Sequence, residues 1–566
     1  MSTPLSFAAS AAVLGEQPDG SVLIRSAEPL TEPPPTLFSW LERWARERPD
    51  RALLTEPRAG GERAALTYGE AATAVDRLAA FLTAEGVAPR DRVVIVAPNS
   101  VKHLLWALAT MRCGAIYVPM APQYAGPGHD AGKLDGLLRR LRPCLVLCAD
   151  PAQLSRLPPG HRSTTVDALF LTAAGTARAS RVPPPPAAAA VAKILFTSGS
   201  TGEPKAVPYT HGQMTAAVTM TTQVWSFVRE RPPVLLDWLP WNHAFGGTAN
   251  LYLVLAAGGT MHIDDGGPTP SGVARTLAQI DFLRPNMFFA VPATLDVLRD
   301  RLASDPAAAR SFFGAVRAIF SAGAALSPET FDGLRVLSRE AGSEVVLLSG
   351  WGSTETGPGT TLVCSPDAQS GWIGPPLPGV ELKLTPCAEK FHLSVRGPNV
   401  FTGYWDDPEA TAAAFDSDGF YATGDAGKLV DPANPQLGLV FDGRVGDDFK
   451  LANGTWVNYA RVRQGLLSAL DGHAIDVVVG MPDASALVAL VWPREGTGLD
   501  DDLLERARAR YNRETPRPSD RLRALGLFRT SPQGPEVSPK GQLRARHVRE
   551  ARKAEFLTLL AEGATR

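Results

Sequence analysis

The segment Thr197-Ser198-Gly199-Ser200-Thr201-Gly202-Glu203-Pro204-Lys205 gathers hydroxyls and glycines and closes on a lysine. Successive glycine-permitted N–H groups can form an anion-holding concavity, to which the hydroxyls add donors and the lysine a mobile positive charge. In chemical logic this is a phosphate loop. It is not the P-loop of nucleotide hydrolases, because Gly-x-x-x-x-Gly-Lys-Ser/Thr cannot be aligned on it. The plain alternative is a flexible surface loop of Ser, Gly and Thr. Other stretches carry chemistry-capable side chains at intervals along the chain: Ser321-Ala322-Gly323-Ala324-Ala325, Trp351-Gly352-Ser353-Thr354-Glu355, Tyr421-Ala422-Thr423-Gly424-Asp425, Gly443-Arg444, and Lys540 near the C-terminus.

Taken in order, these stretches resemble the signatures of the adenylate-forming superfamily, which contains acyl-CoA synthetases, luciferases and the adenylation domains of peptide synthetases. The ordered matches span nearly the whole chain. Within that family, Leu236-Asp237-Trp238-Leu239-Pro240-Trp241-Asn242-His243, Phe441-Asp442-Gly443-Arg444, Asp448-Phe449-Lys450 and Gly454-Thr455-Trp456-Val457 are most similar to feruloyl-CoA synthases. The resemblance implies ATP, Mg²⁺ and coenzyme A as cofactors. It also implies a small-molecule carboxylic acid, of aryl or hydroxycinnamic type, as substrate.

What the resemblance implies for each residue has a physical counterpart. A carboxylate attacking the α-phosphorus of ATP brings two anions together, so the site must neutralise charge and hold the attack in line. Thr197, Ser198, Gly199, Ser200, Thr201, Gly202 and Lys205 would cradle phosphate. Thr354 would bind phosphate through its hydroxyl, with Gly352 and Ser353 beside it, and Glu355 would hold Mg²⁺, a hard cation suited to one or two carboxylates plus phosphate oxygens. Trp351 would offer a flat face to adenine, and Gly323, Ala324 and Ala325 would allow close approach to the base. Asp425 would accept from both ribose hydroxyls, with Phe441 alongside and Arg444 reaching ribose or phosphate. His243 would guard an acyl pocket bordered by Phe245, Gly246, Ala322, Gly323 and Gly352.

In this family the small domain rotates between two half-reactions. Lys540 would face the carboxylate during adenylation, and rotation about Gly446 would bring Lys450 to the thiol step. Glycine absorbs a large φ/ψ change without strain. Adenylation with transfer to an amine or a carrier-protein thiol stays open as an alternative to CoA. So does a catalytically silent ATP-binding scaffold, although Thr354, Glu355 and Lys540 are all present.

These residues need a layered scaffold. Short β-rich runs alternate with helical patterns between residues 66 and 195, the mark of parallel βαβ units and an α/β fold. Ala71, Val75, Leu78 and Leu82 recur at helical spacing before Gly86, and strands are expected over 93–97, 115–119, 144–148 and 193–196, with a helix over 102–112. Residues 183–186 form a stiff proline connector. Beyond residue 445 the rhythm changes, with a helix over 461–470 and strands over 475–479 and 487–491. The expected division is a large adenylation domain, 1–445, made of several subdomains, and a small mobile α+β domain, 446–566.

Composition agrees with an enzyme-sized globule: 566 residues, 45% hydrophobic and 20% charged. With 56 basic against 58 acidic side chains, nothing draws the chain generally to nucleic acid or anionic membrane. Five cysteines without zinc-site spacing read as reduced core residues of a cytoplasmic protein. No signal peptide or spanning segment is expected.

Overall fold

Strand Arg92–Val96 shows why the core forms where it does. Val93, Val94, Ile95 and Val96 are all fully buried, so both faces of the strand are covered, as parallel sheets require. Parallel neighbours Ile116–Met120 and Leu145–Cys148 flank it. The computed structural model describes residues 5–8, 11–58, 60–127, 131–175, 182–198, 204–387, 390–450, 456–483, 486–494, 496–537 and 543–565. Strand Val191–Ser198 lies parallel to Ile116–Met120, and Pro204–Thr210 turns back antiparallel at the edge of the same sheet. Helices Tyr68–Ala84 and Val101–Arg112 cover this layer. The first begins with a reciprocal Thr67/Glu70 capping box and the second at Ser100, whose hydroxyl accepts from the His103 N–H.

A second sheet runs in the order Thr361–Leu362, Val346–Trp351, Ala318–Ser321, Met287–Ala290, Val234–Asp237, Thr260–Ile263, Ala52–Pro57 and Arg63–Thr67. Its inner pairs are parallel and its outermost pairs antiparallel. Helices Pro270–Leu283, Pro292–Ser304, Pro306–Ala315 and Pro328–Glu340 connect or cover the strands. Each starts on a proline, whose missing N–H is harmless in the first turn. The carboxyl ends of the parallel strands point the same way, where α/β sheets bind ligands.

A third, antiparallel sheet takes the order Ala12–Glu16, Val22–Ser26, Glu381–Cys387, Lys390–Arg396, Tyr421–Leu429, Leu439–Arg444 and Trp372–Gly374. Its two N-terminal strands were not foreseen from the sequence; Arg25 pairs with Glu381 and Val22 with Leu384. In its middle, Asp425 stands opposite Arg444.

The chain then passes through a short turn, Val445–Asp447, to a smaller α+β domain. Strands Ala474–Gly480, Leu487–Pro493 and Leu522–Leu527 form its sheet. Tyr459–Ala469 and Asp501–Glu514 pack against one face, with Val462, Leu466, Val477 and Leu504 in the core, and Lys553–Thr565 covers the other through Phe556 against Val478 and Leu490. The expected helix over 461–470 and strands over 475–479 and 487–491 are present. At the junction the buried Lys390 ammonium pairs with Asp448 and donates to the Asp442 carbonyl (3.2 Å), while the Tyr459 N–H donates to Asp448 (3.1 Å). Among the described residues no helix is long and apolar enough to cross a membrane, and no group of His, Cys, Asp and Glu is arranged to hold a metal by itself.

Candidate active site

Strand Val346–Trp351 delivers the Trp351-to-Glu355 segment to the carboxyl edge of the second sheet. Gly352 has no room for a side chain, because a Cβ there would lie 2.1 Å from the Pro358 carbonyl oxygen. The chain then folds into a single tight turn, Thr354–Thr356, held from three directions. The Tyr209 hydroxyl donates to the Thr354 carbonyl, the Phe401 N–H to the Glu355 carbonyl (2.8 Å), and Asn399 Nδ2 to the Thr356 carbonyl (2.6 Å). The Glu355 carboxylate is buried and accepts from the Tyr404 hydroxyl (3.2 Å). Burial, and then the Glu355 charge, push the Tyr404 hydroxyl far above its usual range, so it remains a donor. Lys205, closing the phosphate loop, stands over the face of the same tyrosine at 4.7 Å.

Asp425 is 7% exposed. The Trp351 indole N–H donates to its Oδ2 (2.9 Å), and Arg444 Nε lies 3.0 Å from its Oδ1. That ion pair is too poorly aligned to be a hydrogen bond, leaving Oδ1 without a hydrogen-bond partner in a buried position. Burial raises the Asp425 carboxyl; Arg444 and the indole pull it down, and nearby Glu355 raises it again. The hydroxyl of Ser353, the residue just before the 354–356 turn, is likewise buried and unpaired. Phe441 lies beside them on strand Leu439–Arg444, its N–H donating to the Gly371 carbonyl (3.1 Å). Gly323 has φ +91° and opens an exposed ridge through Ala324 and Ala325 just past strand Ala318–Ser321.

The acyl side is built after strand Val234–Asp237. Asp237 is buried, accepts from the Leu239 N–H (2.9 Å) and from Asn250 Nδ2 (2.8 Å), and burial pushes its carboxyl up to about 7. His243 follows, and its carbonyl accepts from the Gly247 N–H (2.9 Å). Residues Phe245–Asn250 form a π-helical turn that runs into helix Leu251–Ala257. Such widened turns recur at functional sites. A Cβ at Gly246 would meet the Leu239 carbonyl at 2.5 Å, and one at Gly247 the Trp241 carbonyl at 2.0 Å, so both glycines let this turn seat against residues 239–241. Phe245 stacks on Phe289 (6.3 Å) and meets the edge of Phe320 (5.6 Å), which also packs on Trp225 (5.2 Å). Ala322 lies next to them, half-buried.

The structure thus brings Lys205, Trp351, Glu355, Asp425 and Arg444 to one region. Thr197 and Ser198 close strand Val191–Ser198, Thr197 paired with Lys205 and Ser198 with Pro204. Gly199, Ser200, Thr201 and Gly202 lie outside the described residues, as does Lys540; of Lys450 only the backbone is described, paired with Trp456. Sequence reasoning missed Tyr209, Tyr404, Trp225, Phe289 and Phe320. The phenylalanines end apolar strands, where an aromatic side chain reads simply as core.

A model described as AMP-binding enzyme matches residues 41–405. The chain belongs to the AMP-binding enzyme family. Its relatives place it among acid–thiol ligases. It is 30% identical over 497 residues to a methyl-dioxo-octahydro-indenyl propanoyl:CoA ligase of Mycobacterium tuberculosis, covering 82% of this chain and 90% of the relative. It is 29% identical over 489 residues to a feruloyl-CoA synthase of Amycolatopsis sp, covering 83% and 91%. Among solved structures it resembles ATP-bound MatB from Rhodopseudomonas palustris, with a TM-score of 0.73 at 25% identity, over 91% of this AMP-binding enzyme and 99% of that chain.

Proposed function

We propose that this enzyme joins an aromatic or hydroxycinnamic-type acid to AMP, releasing pyrophosphate, and then passes the acyl group to coenzyme A. The observation that carries this reading is the buried Asp425 carboxylate, oriented by Trp351 and Arg444 with one oxygen unpaired, a few side chains from Glu355. A carboxylate so held suits a ribose diol, since each oxygen can accept from one hydroxyl. Trp351 and the ridge of Gly323, Ala324 and Ala325 border the base, and the loop from Thr197 to Lys205 takes the phosphates. Glu355 would hold Mg²⁺, which would neutralise phosphate charge there.

In the first step a carboxylate oxygen attacks the α-phosphorus and the bond to pyrophosphate breaks. Lys540 neutralises the approaching charge. In the second, the CoA thiolate attacks the acyl carbonyl and AMP leaves, with Lys450 on the facing side after the domain 446–566 has turned about Gly446 against the domain 1–445. A Cβ at Gly446 would touch nothing within 4 Å, so lack of room does not account for the glycine there. The aromatic group of Phe245, Phe289 and Phe320 beside His243 favours a flat aryl acid over a flexible chain. Pyrophosphate release over a panel of benzoates, cinnamates, amino acids and fatty acids tests the first step, and product mass with and without CoA tests the second. A standard amino acid activated well above the aryl acids, or a product mass indifferent to CoA, would sink the proposal.

A further inference from the structure

Strand Val191–Ser198, which delivers Thr197 to the nucleotide side, also carries a charged side chain inward. Lys193 is 0% exposed. Its ammonium donates to the Gly247 carbonyl (2.6 Å) and to Thr248 Oγ1 (3.1 Å), both in the π-helical turn beside His243. The rings of Tyr117 (5.4 Å) and Tyr252 (5.3 Å) face it. Beyond them, the Tyr117 hydroxyl meets His103 Nε2 (2.7 Å), whose Nδ1 meets the Pro98 carbonyl (2.9 Å). Among the described residues no carboxylate pairs with Lys193. Burial draws the ammonium down to about 7 and the His103 imidazole to about 4, so the histidine stays neutral, its Nδ1 proton toward Pro98.

A buried ammonium without a counter-ion is costly, and a methionine would fill the same space without that penalty. Stability therefore does not account for Lys193. Its contacts do: Gly247 receives Lys193 on its carbonyl and gives its N–H to the His243 carbonyl. From the opposite side Asp237 holds Asn250, at the far end of the same turn. The turn is clamped between a strand of one sheet and a strand of another.

We propose that Lys193 is a positioning residue for the acid, fixing the π-helical turn 245–250 and through it the placement of His243 and Phe245, and so setting which acids fit. This inference rests on the acid-activating reading above. Both hydrogen bonds of Lys193 go to the turn beside His243, so its removal is expected to act on the acid alone.

The test is steady-state pyrophosphate release by the full chain, with ATP and the acid varied separately, for the wild type, Lys193→Met and Thr248→Val. Lys193→Met is expected to raise the acid KM at least about tenfold, to leave the ATP KM within about twofold, and to narrow the kcat/KM ratio between a benzoate and a bulkier cinnamate. Its melting temperature should be equal or higher. Thr248→Val, which removes one of the two acceptors, should shift the acid KM in the same direction by about threefold. An unchanged acid KM and acid ratio in folded Lys193→Met overturns the inference, as does a parallel loss in both KM values, kcat and melting temperature. Should Lys193→Met not fold, Thr248→Val decides alone: an acid KM equal to wild type overturns the clamp. A wild type that releases no pyrophosphate with any acid overturns the acid-activating reading itself.

Discussion

At the scale of single residues, the site pairs anions that need partners with donors that cannot easily leave. Glu355→Gln keeps the shape and the Tyr404 contact but removes the charge that would hold the metal. Its rate should fall and its magnesium requirement shift to higher concentration; a magnesium titration that superimposes on wild type would put the metal elsewhere. Asp425→Asn replaces a carboxylate oxygen with an amide donor at the place proposed for ribose. Losing a charge-assisted hydrogen bond is worth about 1.5–3 kcal/mol, or roughly 10- to 150-fold, and isothermal titration with ATP should register the loss while acid binding is unaffected. Trp351, Glu355 and Asp425 were legible in the sequence because their types and neighbours form recognisable strings. Tyr209 and Tyr404 were not, because each reaches the 354–356 turn from a distant segment where a lone tyrosine carries no spacing signal.

Among the elements, the fully buried strands were the easiest to read, since a run such as Val93 to Val96 has no polar face to confuse it. The π-helical turn was invisible: Phe245-Gly246-Gly247 looks like a loop, and only the missing space around the two glycines explains their presence. Gly247→Ala should therefore disturb the acid KM and lower the melting temperature, by an overpacking penalty of about 1–3 kcal/mol. The lysine that grips this turn makes a separate prediction in the pH dependence of stability. Its pKa falls from 10.5 in the unfolded chain to about 7 when folded, so between those values the unfolded state binds more protons and stability rises with pH. The penalty for burying the ammonium is complete below about pH 7 and gone above the unfolded value. Thermal melts should show Lys193→Met gaining most over wild type at pH 6 and least near pH 10. An advantage independent of pH would mean that the ammonium keeps its unfolded pKa in the folded protein. Asp237, raised to about 7, behaves oppositely: its contribution is present below the unfolded value of 3.8 and is lost progressively from there through about 7. Asp237→Asn should remove that slope.

For the whole molecule, the proposed turning of one domain against the other assigns the two lysines to different steps. A unit charge about 4 Å from another is worth roughly 4 kcal/mol at an effective dielectric near 20, about a thousandfold in rate. Lys540→Ala should lose adenylation by nearly that factor, yet lose far less when synthetic acyl-AMP and CoA are supplied. Lys450→Ala should show the reverse bias, and equal damage to both half-reactions would refute the rotation. The large and small domains were visible in the sequence as a change of rhythm, whereas the N-terminal strands were not, being short, of mixed polarity and partly exposed. Those strands have a consequence for how the protein is made. Among the described residues Val22–Ser26 pairs with the strand before it and with Glu381–Cys387, so a ribosome must add roughly 350 residues, about 20–70 s of synthesis, before that second partner emerges. During that interval two half-apolar strands have an open edge, and when the partner arrives they close the same sheet that carries Asp425 and Arg444. The nucleotide platform is therefore finished late, by the oldest part of the nascent chain, and a chain lacking its first 26 residues would present Glu381–Cys387 as an unprotected edge to its neighbours.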